Sequence, residues 1–354
     1  MKHCLVKGAG GQIGTDLEPS TDRTRILVAC LTYKRGPLLG TLLQSFAALD
    51  APEGADYSVL VVDNDPLGSA RPCLDPLMGS IPGLTYVLEP RRGIPVARNA
   101  ALDYALANDF DAMCFVDDDE FVKHDWLAKL VATWRETGAQ LVGGPVLVAA
   151  PPQEATPFEA FINDSLAARM NRKNAKSAKL ASKGAPVTVV TNNWLCALRW
   201  MKPKNIRFDE RQLYTGGSDA SFCKAMRAAG AKIVWSPDAL VYETMTRDRL
   251  TLAYQFHRGA SQSNNHFVMK NPTLTADVLL SALLVSVLKF VTGALLLVVP
   301  VFGKASPVVA VRSMGWSVGR IGAIMGFRSR LYEFEPAPMP KQTQSLGAEM
   351  TMRE

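Results

Sequence analysis

The run Phe115-Val116-Asp117-Asp118-Asp119-Glu120 sets three aspartates directly after an apolar stretch. Neighbouring carboxylates repel one another unless a cation sits among them. Oxygen ligands at Asp117-X-Asp119 suit Mg2+ or Mn2+, which are commonly held by one or two carboxylates together with phosphate oxygens. The chemistry indicated is a divalent ion bridging the protein to a phosphate-bearing ligand. The competing reading is an acidic turn that caps the following helix, although three aspartates exceed what a cap needs. Two other polar pairs, Thr32-Tyr33 and Asp63-Asn64, also close apolar runs, and Asp219 follows Gly216-Gly217-Ser218. Asp219 would serve equally well as an N-cap before Ala220, and capping does not preclude chemistry.

The elements around these residues follow from apolar patterning. Short apolar runs at 25–31, 58–62, 84–88 and 112–116 read as buried strands, and leucines at 38, 39, 42 and 43 with Phe46 mark a helix. A second helix is expected over 95–107, a third over 126–134 and a fourth over 220–229. Further strands are expected at 141–148, with a bend at Gly143-Gly144, at 188–190 and at 233–235. Strands alternating with helices predict an α/β sandwich with a mainly parallel sheet. Ligands of such sheets bind beyond the carboxyl ends of the strands, where Thr32-Tyr33, Asp63-Asn64 and the aspartate run all fall.

The bulk composition narrows the function classes. The chain has 354 residues, enough for about two domains, with 48% hydrophobic and 20% charged residues. Its net charge of +6 suits a phosphate-bearing substrate, an anionic membrane surface or nucleic acid. Six cysteines are scattered without a CxxC pair and there are four histidines, which argues for reduced, buried thiols and against zinc. The amino terminus lacks the apolar core of a signal peptide. Gly8-Ala9-Gly10-Gly11-Gln12-Ile13-Gly14 has the look of a dinucleotide loop, but Pro19 breaks the helix such a loop must open, so a flexible leader is expected over 1–24. Between Ser165 and Phe208 there is no acid among many Arg and Lys residues, consistent with a solvated helix or loop, or with contact to anionic lipid or a phosphate-bearing acceptor.

Taken in order, Val28-Ala29-Cys30-Leu31-Thr32-Tyr33-Lys34-Arg35, Val61-Val62-Asp63-Asn64-Asp65, Arg92-Gly93-Ile94-Pro95-Val96-Ala97-Arg98-Asn99, the aspartate run, Thr191-Asn192-Asn193 and Gly216-Gly217-Ser218-Asp219 resemble a bacterial family 2 glycosyltransferase. The likeness is nearest to enzymes that add sugars during exopolysaccharide assembly, and it covers residues 25–260. It implies a GT-A fold, with a nucleotide-sugar half at 25–130 and an acceptor half at 131–260. It also implies roles. Thr32 and Tyr33 would contact the nucleotide, Asp63 and Asn64 the base or ribose, and Arg98 the donor phosphates. Asp117 and Asp118 would hold the ribose and orient the metal, and Asp119, with Asp117, would ligate Mn2+ or Mg2+. Asp219 would be the general base of an inverting transfer. The family usually has Gly-Gly-Glu-Asp where this chain has Ser218 before Asp219.

The resemblance further implies a nucleotide-sugar donor, a UDP-sugar in the first instance, a polyprenyl-diphosphate-linked saccharide acceptor and no nucleic acid. Other polysaccharide-assembly enzymes are possible partners, and the inner membrane, with the catalytic domain facing the cytoplasm, is the expected location. Residues 278–302 approach the ~20 apolar residues that cross a bilayer. A membrane-associated helical region is therefore expected over 272–330, with a polar tail at 331–354. Lys289 in its middle needs a partner. A buried hairpin in a soluble protein is the alternative. For function the alternatives are an inactive membrane-bound partner of a transferase, for which Ser218 leaves room, and a nucleotidyltransferase.

Overall fold

In the computed structural model, which describes residues 23–212, 217–271, 273–298 and 306–329, the strands expected between 25 and 116 all form. The chain runs β1 (Thr24–Thr32), α1 (Gly36–Ala47), β2 (Ala55–Asp63), the one-turn α2 (Arg71–Leu74), β3 (Thr85–Leu88), α3 (Ile94–Ala107), β4 (Ala112–Asp117), β5 (Glu120–Val122) and α4 (Trp126–Thr137). It continues through β6 (Leu141–Gly143), β7 (Val146–Val148), α5 (Pro157–Ser182), β8 (Trp194–Ala197), the one-turn α6 (Leu198–Met201), α7 (Ser218–Ala228), β9 (Ile233–Trp235) and β10 (Val241–Glu243). Three long helices follow: α8 (Leu252–Lys270), α9 (Ala276–Val298) and α10 (Ser306–Ile324). The glycine-rich segment at 8–14, Cys4 and the polar tail lie outside the described residues.

The central sheet has the order β3-β2-β1-β4-β8-β6-β9, parallel except for β8, which runs antiparallel between β4 and β6. The mixed, mainly parallel α/β sandwich is as expected. Strand β1 buries both of its faces, which explains its unbroken apolar run. Ile26, Val28 and Cys30 pack with Leu39, Leu42 and Phe46 of α1, while Leu27 and Ala29 pack with Ala97, Ala101 and Leu102 of α3. Its register sets Thr32 beside Asp63 and Leu31 beside Asp117, so the three polar strand ends form one row.

Two expectations need correction. Residues 188–190 form no strand; they run as a loop, with Val189 buried against Gly143 and Thr188 exposed. The strand lies later, at β8, where Trp194 stacks on Phe115 with 5.8 Å between ring centroids. Residues 141–148 are two strands, because the chain leaves the main sheet at Gly144. There a side chain would meet the Ala239 carbonyl oxygen and the Asn193 amide, both at 2.6 Å. β7 then joins a second sheet in the order β5-β10-β7.

At the carboxyl end, Ala276–Leu297 is long and apolar enough to cross a bilayer, with a mean hydropathy of 2.2. α10 packs against both α8 and α9. Gly315 and Gly319 lie against α8 so closely that a Cβ on either would overlap the carbonyl oxygen of Phe256 or Ala260. Small residues four apart permit such backbone contact between helices. Lys289 finds its partner in the Trp316 ring, 3.8 Å from the ammonium.

Candidate active site

The aspartate run leaves β4 and enters β5, and its four carboxylates take four different environments. Asp118 accepts from the Thr32 hydroxyl and from Arg35 Nη1, each at 2.9 Å. Asp119 is paired with Arg35 at 3.2 Å and with Arg249 at 2.8 Å. Glu120 turns inward and accepts from the Asp117 N–H at 2.9 Å and the Asn192 amide at 2.8 Å. Asp117 is the most open of the four, its side chain 43% exposed, with Arg98 Nη2 at 3.9 Å. Lys34 has φ 54°, a left-handed conformation uncommon for a non-glycine residue, at the point where the chain turns between Tyr33 and Arg35.

Glu243 joins this cluster from β10, where it sits opposite Glu120 in the antiparallel pairing with β5. Arg249 Nη1 lies 2.8 Å from Asp119 and 3.4 Å from Glu243, so one guanidinium bridges two carboxylates. Burial pushes the Glu120 and Glu243 carboxyls up, and nearby acids push them further. Asp117 is raised to about 7, first by removal from water and then by Asp119, Asp118 and Asp219, against the pull of Arg98.

This shift fixes a pH dependence. Asp117 holds its proton up to about 7 in the folded protein, against an ordinary value of 3.8. Across that window the folded state binds more protons than the unfolded state, so stability falls as pH rises. The contribution is fully present below the ordinary value and is lost above about 7. Urea midpoints measured without donor or divalent ion are expected to decline across this window, and Asp117→Asn to flatten the decline. An identical slope in the variant would refute the assignment.

The remaining site residues converge from other elements. Arg98, on α3, donates to the Ser218 hydroxyl at 2.8 Å and lies over the Phe208 ring at 5.6 Å. It thus ties the end of β4 to the start of α7. Asn99 next to it clamps the 208–210 segment, accepting from the Phe208 N–H and donating to the Glu210 carboxylate. Asp219 lies in the first turn of α7, after Gly217 with φ 94°, and accepts from the Ala220 N–H at 2.9 Å. Tyr33 carries the Arg92 guanidinium over its ring at 4.5 Å. Asn64 donates to the Glu89 and Arg91 carbonyls and accepts from the Gly93 N–H, all at 2.8 Å, which shapes the loop before α3.

One 600 Å³ cavity is lined by Thr32, Tyr33, Asn64, Arg98, Asp117, Asp118, Asp119 and Asp219. Asp63 is not among its lining residues. It is fully buried, and its oxygens accept from the Asp65 and Ala70 N–H groups and the Tyr86 hydroxyl, at 3.0, 2.7 and 3.1 Å. The cavity also brings in Arg35, Glu243 and Arg249, which the motif reading did not single out as site residues. Arg35 had a local signal, its place two residues after Tyr33. Glu243 and Arg249 had none, since they depend on how β10 pairs with β5.

The donor set suits a divalent ion in its chemistry: hard carboxylate oxygens gathered at the end of β4. Among the described residues no group of three or more His, Cys, Asp or Glu is arranged around an ion. One or two carboxylates suffice when phosphate supplies the other ligands. Asp117 is open to the cavity, whereas Asp119 is held by Arg249 and Arg35.

Sequence comparison matches residues 28–184 to Glycosyl transferase family 2 and residues 113–321 to Glycosyl transferase family group 2. The succinoglycan biosynthesis protein ExoM of Rhizobium meliloti (strain 1021) is 34% identical over 242 residues, which cover 68% of this chain and 73% of that protein. Among solved structures, mannosyltransferase PcManGT from Pyrobaculum calidifontis, in complex with GDP-Man and Mn2+, aligns with TM-score 0.50 and 17% identity over 86% of this chain and 75% of its own. S. aureus TarS 1-349 in complex with UDP aligns with TM-score 0.47 and 16% identity over 86% of this chain and 92% of its own. The structural likeness concerns the GT-A fold, and the sequence matches carry the family. The strand-end row, the aspartate run and the acid at the start of α7 thus belong to an enzyme that transfers sugars, and the chain is a member of glycosyltransferase family 2.

Proposed function

We propose that this enzyme moves a sugar from a nucleotide sugar, a UDP-sugar in the first instance, to a lipid-linked saccharide during assembly of a cell-surface polysaccharide, with inversion at the anomeric carbon. The observation that carries this reading is the single cavity that joins the residues of the β-strand ends to Asp219. Tyr33 and Asn64 would border the nucleotide, and Arg98 would face the donor diphosphate. Asp219 would take the proton from the acceptor hydroxyl as that oxygen attacks, a task for an ionised carboxylate within hydrogen-bond reach. Asp117 and Asp119 would hold Mn2+ or Mg2+, which supplies charge neutralisation for the departing nucleoside diphosphate. α9 would associate the enzyme with the inner membrane, its catalytic domain on the cytoplasmic side, where it would work beside other polysaccharide-assembly enzymes.

Ser218 suits this scheme. A glutamate there would draw the Arg98 guanidinium into an ion pair, whereas the serine hydroxyl accepts one bond and leaves the charge for Asp117 and the donor. The test is a turnover panel of UDP- and GDP-sugars with Mn2+ or Mg2+ and lipid-linked saccharides extracted from membranes. Sugar transfer with release of nucleoside diphosphate is expected. Binding without turnover would assign the chain to the inactive partner, and release of pyrophosphate would point to a nucleotidyltransferase.

A further inference from the structure

The same cavity carries a cationic group that the donor chemistry does not use. Arg169 and Lys173 stand one turn apart on α5, Arg258 comes from α8 and Arg312 from α10, and all four line the cavity. Among the described residues, Arg169, Lys173 and Arg312 form no ion pair with a carboxylate. Arg312 is instead oriented by amide oxygens, donating to Gln255 and, at 2.8 Å, to Gln262. Removal from water, and then the charges of Arg169 and Arg258, push its guanidinium down to about 10. Arg169 and Lys173 are lowered in the same way, by burial first and then by neighbouring arginines. Confined like charges cost free energy until a counter-ion enters. Forked guanidiniums from two or more elements match the oxygens of a phosphate or diphosphate.

Lys173 feels the charges of Asp219 and Glu243, so the cluster adjoins the base and the inner acid of β10. Arg312 sits on the helix that packs against α9, the apolar helix. We propose that Arg169, Lys173, Arg258 and Arg312 form a seat for the diphosphate ester of the acceptor lipid, an inference that rests on the lipid-linked acceptor proposed above. α10 is then a wall of the active site as well as a neighbour of the membrane helix.

The test is binding by the full chain in detergent, with three probes: a polyprenyl diphosphate, the unphosphorylated polyprenol, and UDP or GDP, whichever the wild type binds. In the wild type, polyprenyl diphosphate should bind and be displaced by inorganic pyrophosphate, and polyprenol should bind at least tenfold more weakly. In Arg169→Gln/Arg312→Gln, polyprenyl diphosphate affinity should drop at least tenfold while the nucleotide Kd stays within twofold, which also certifies the fold. Lys173→Gln should give a smaller loss in the same direction. Unchanged polyprenyl diphosphate binding in the double variant, with the wild type binding normally, overturns the seat and leaves the proposed reaction standing. Equal losses for both ligands assign the cluster to the donor and overturn the seat. A wild type that binds no polyprenyl diphosphate overturns the lipid acceptor and the seat together.

Discussion

Asp219→Asn is expected to lower kcat by about 10²–10⁴-fold, the range typical of a positioned general base, while nucleotide affinity stays within about twofold. The substitution changes charge and little else. The amide oxygen can still accept from the Ala220 N–H, as the carboxylate does at 2.9 Å, so this bond in the first turn of α7 is kept. Phe222 beneath it remains stacked on Phe208, with ring centroids 4.3 Å apart, so the helix keeps its seat. Single-turnover rates measured beside nucleotide titrations separate the two effects. A variant retaining more than about a tenth of wild-type turnover would dismiss Asp219 as the base, since even the low end of the range exceeds that loss.

Arg249→Met is expected to act in opposite directions on two measurements. Arg249 is largely shielded from water and bridges Asp119 and Glu243, so its removal leaves the buried Asp119 and the half-buried Glu243 short of a cation. Breaking a buried pair in this way costs about 3–5 kcal/mol. The lower end applies, because Arg35 still reaches Asp119 at 3.2 Å. Without divalent ions, the urea midpoint should therefore fall. If Asp119 ligates an ion as proposed, the same change removes a competing guanidinium, so Mn2+ should bind the variant more tightly and narrow the stability gap as its concentration rises. If the variant matched the wild type in stability without ions, or bound Mn2+ more weakly, Arg249 would not be holding the place of an ion.

The parallel half of the fold was legible because its strands are buried on both faces. Residues 26–31 and 59–62 have no polar position until the strand ends, which marks both the element and the row of site residues. Legibility failed where long-range pairing decides the structure. The run at 188–190 has strand-forming residues but covers Gly143 as a loop, while Trp194–Ala197 becomes the strand because it fits between β4 and β6. Asp63 reads like a ligand residue, yet backbone N–H groups and the Tyr86 hydroxyl consume its oxygens. The lysines and arginines after Ser165 gave charge without direction. Only the placement of α5 shows Arg169 and Lys173 turned into the cavity.

The glycine seam between α8 and α10 bears on how this enzyme can be handled in water. A natural impulse is to delete everything from α9 onward and keep the catalytic part. That cut would strip the carbonyl-lined groove at Phe256 and Ala260 of the helix fitted into it, and would take Arg312 out of the cavity wall. The shortened protein would be a different active site with a sticky flank. Solubility is better sought by repainting the outward face of α9, where Leu280, Leu284 and Leu288 are 61%, 62% and 64% exposed, with polar residues that leave the seam intact.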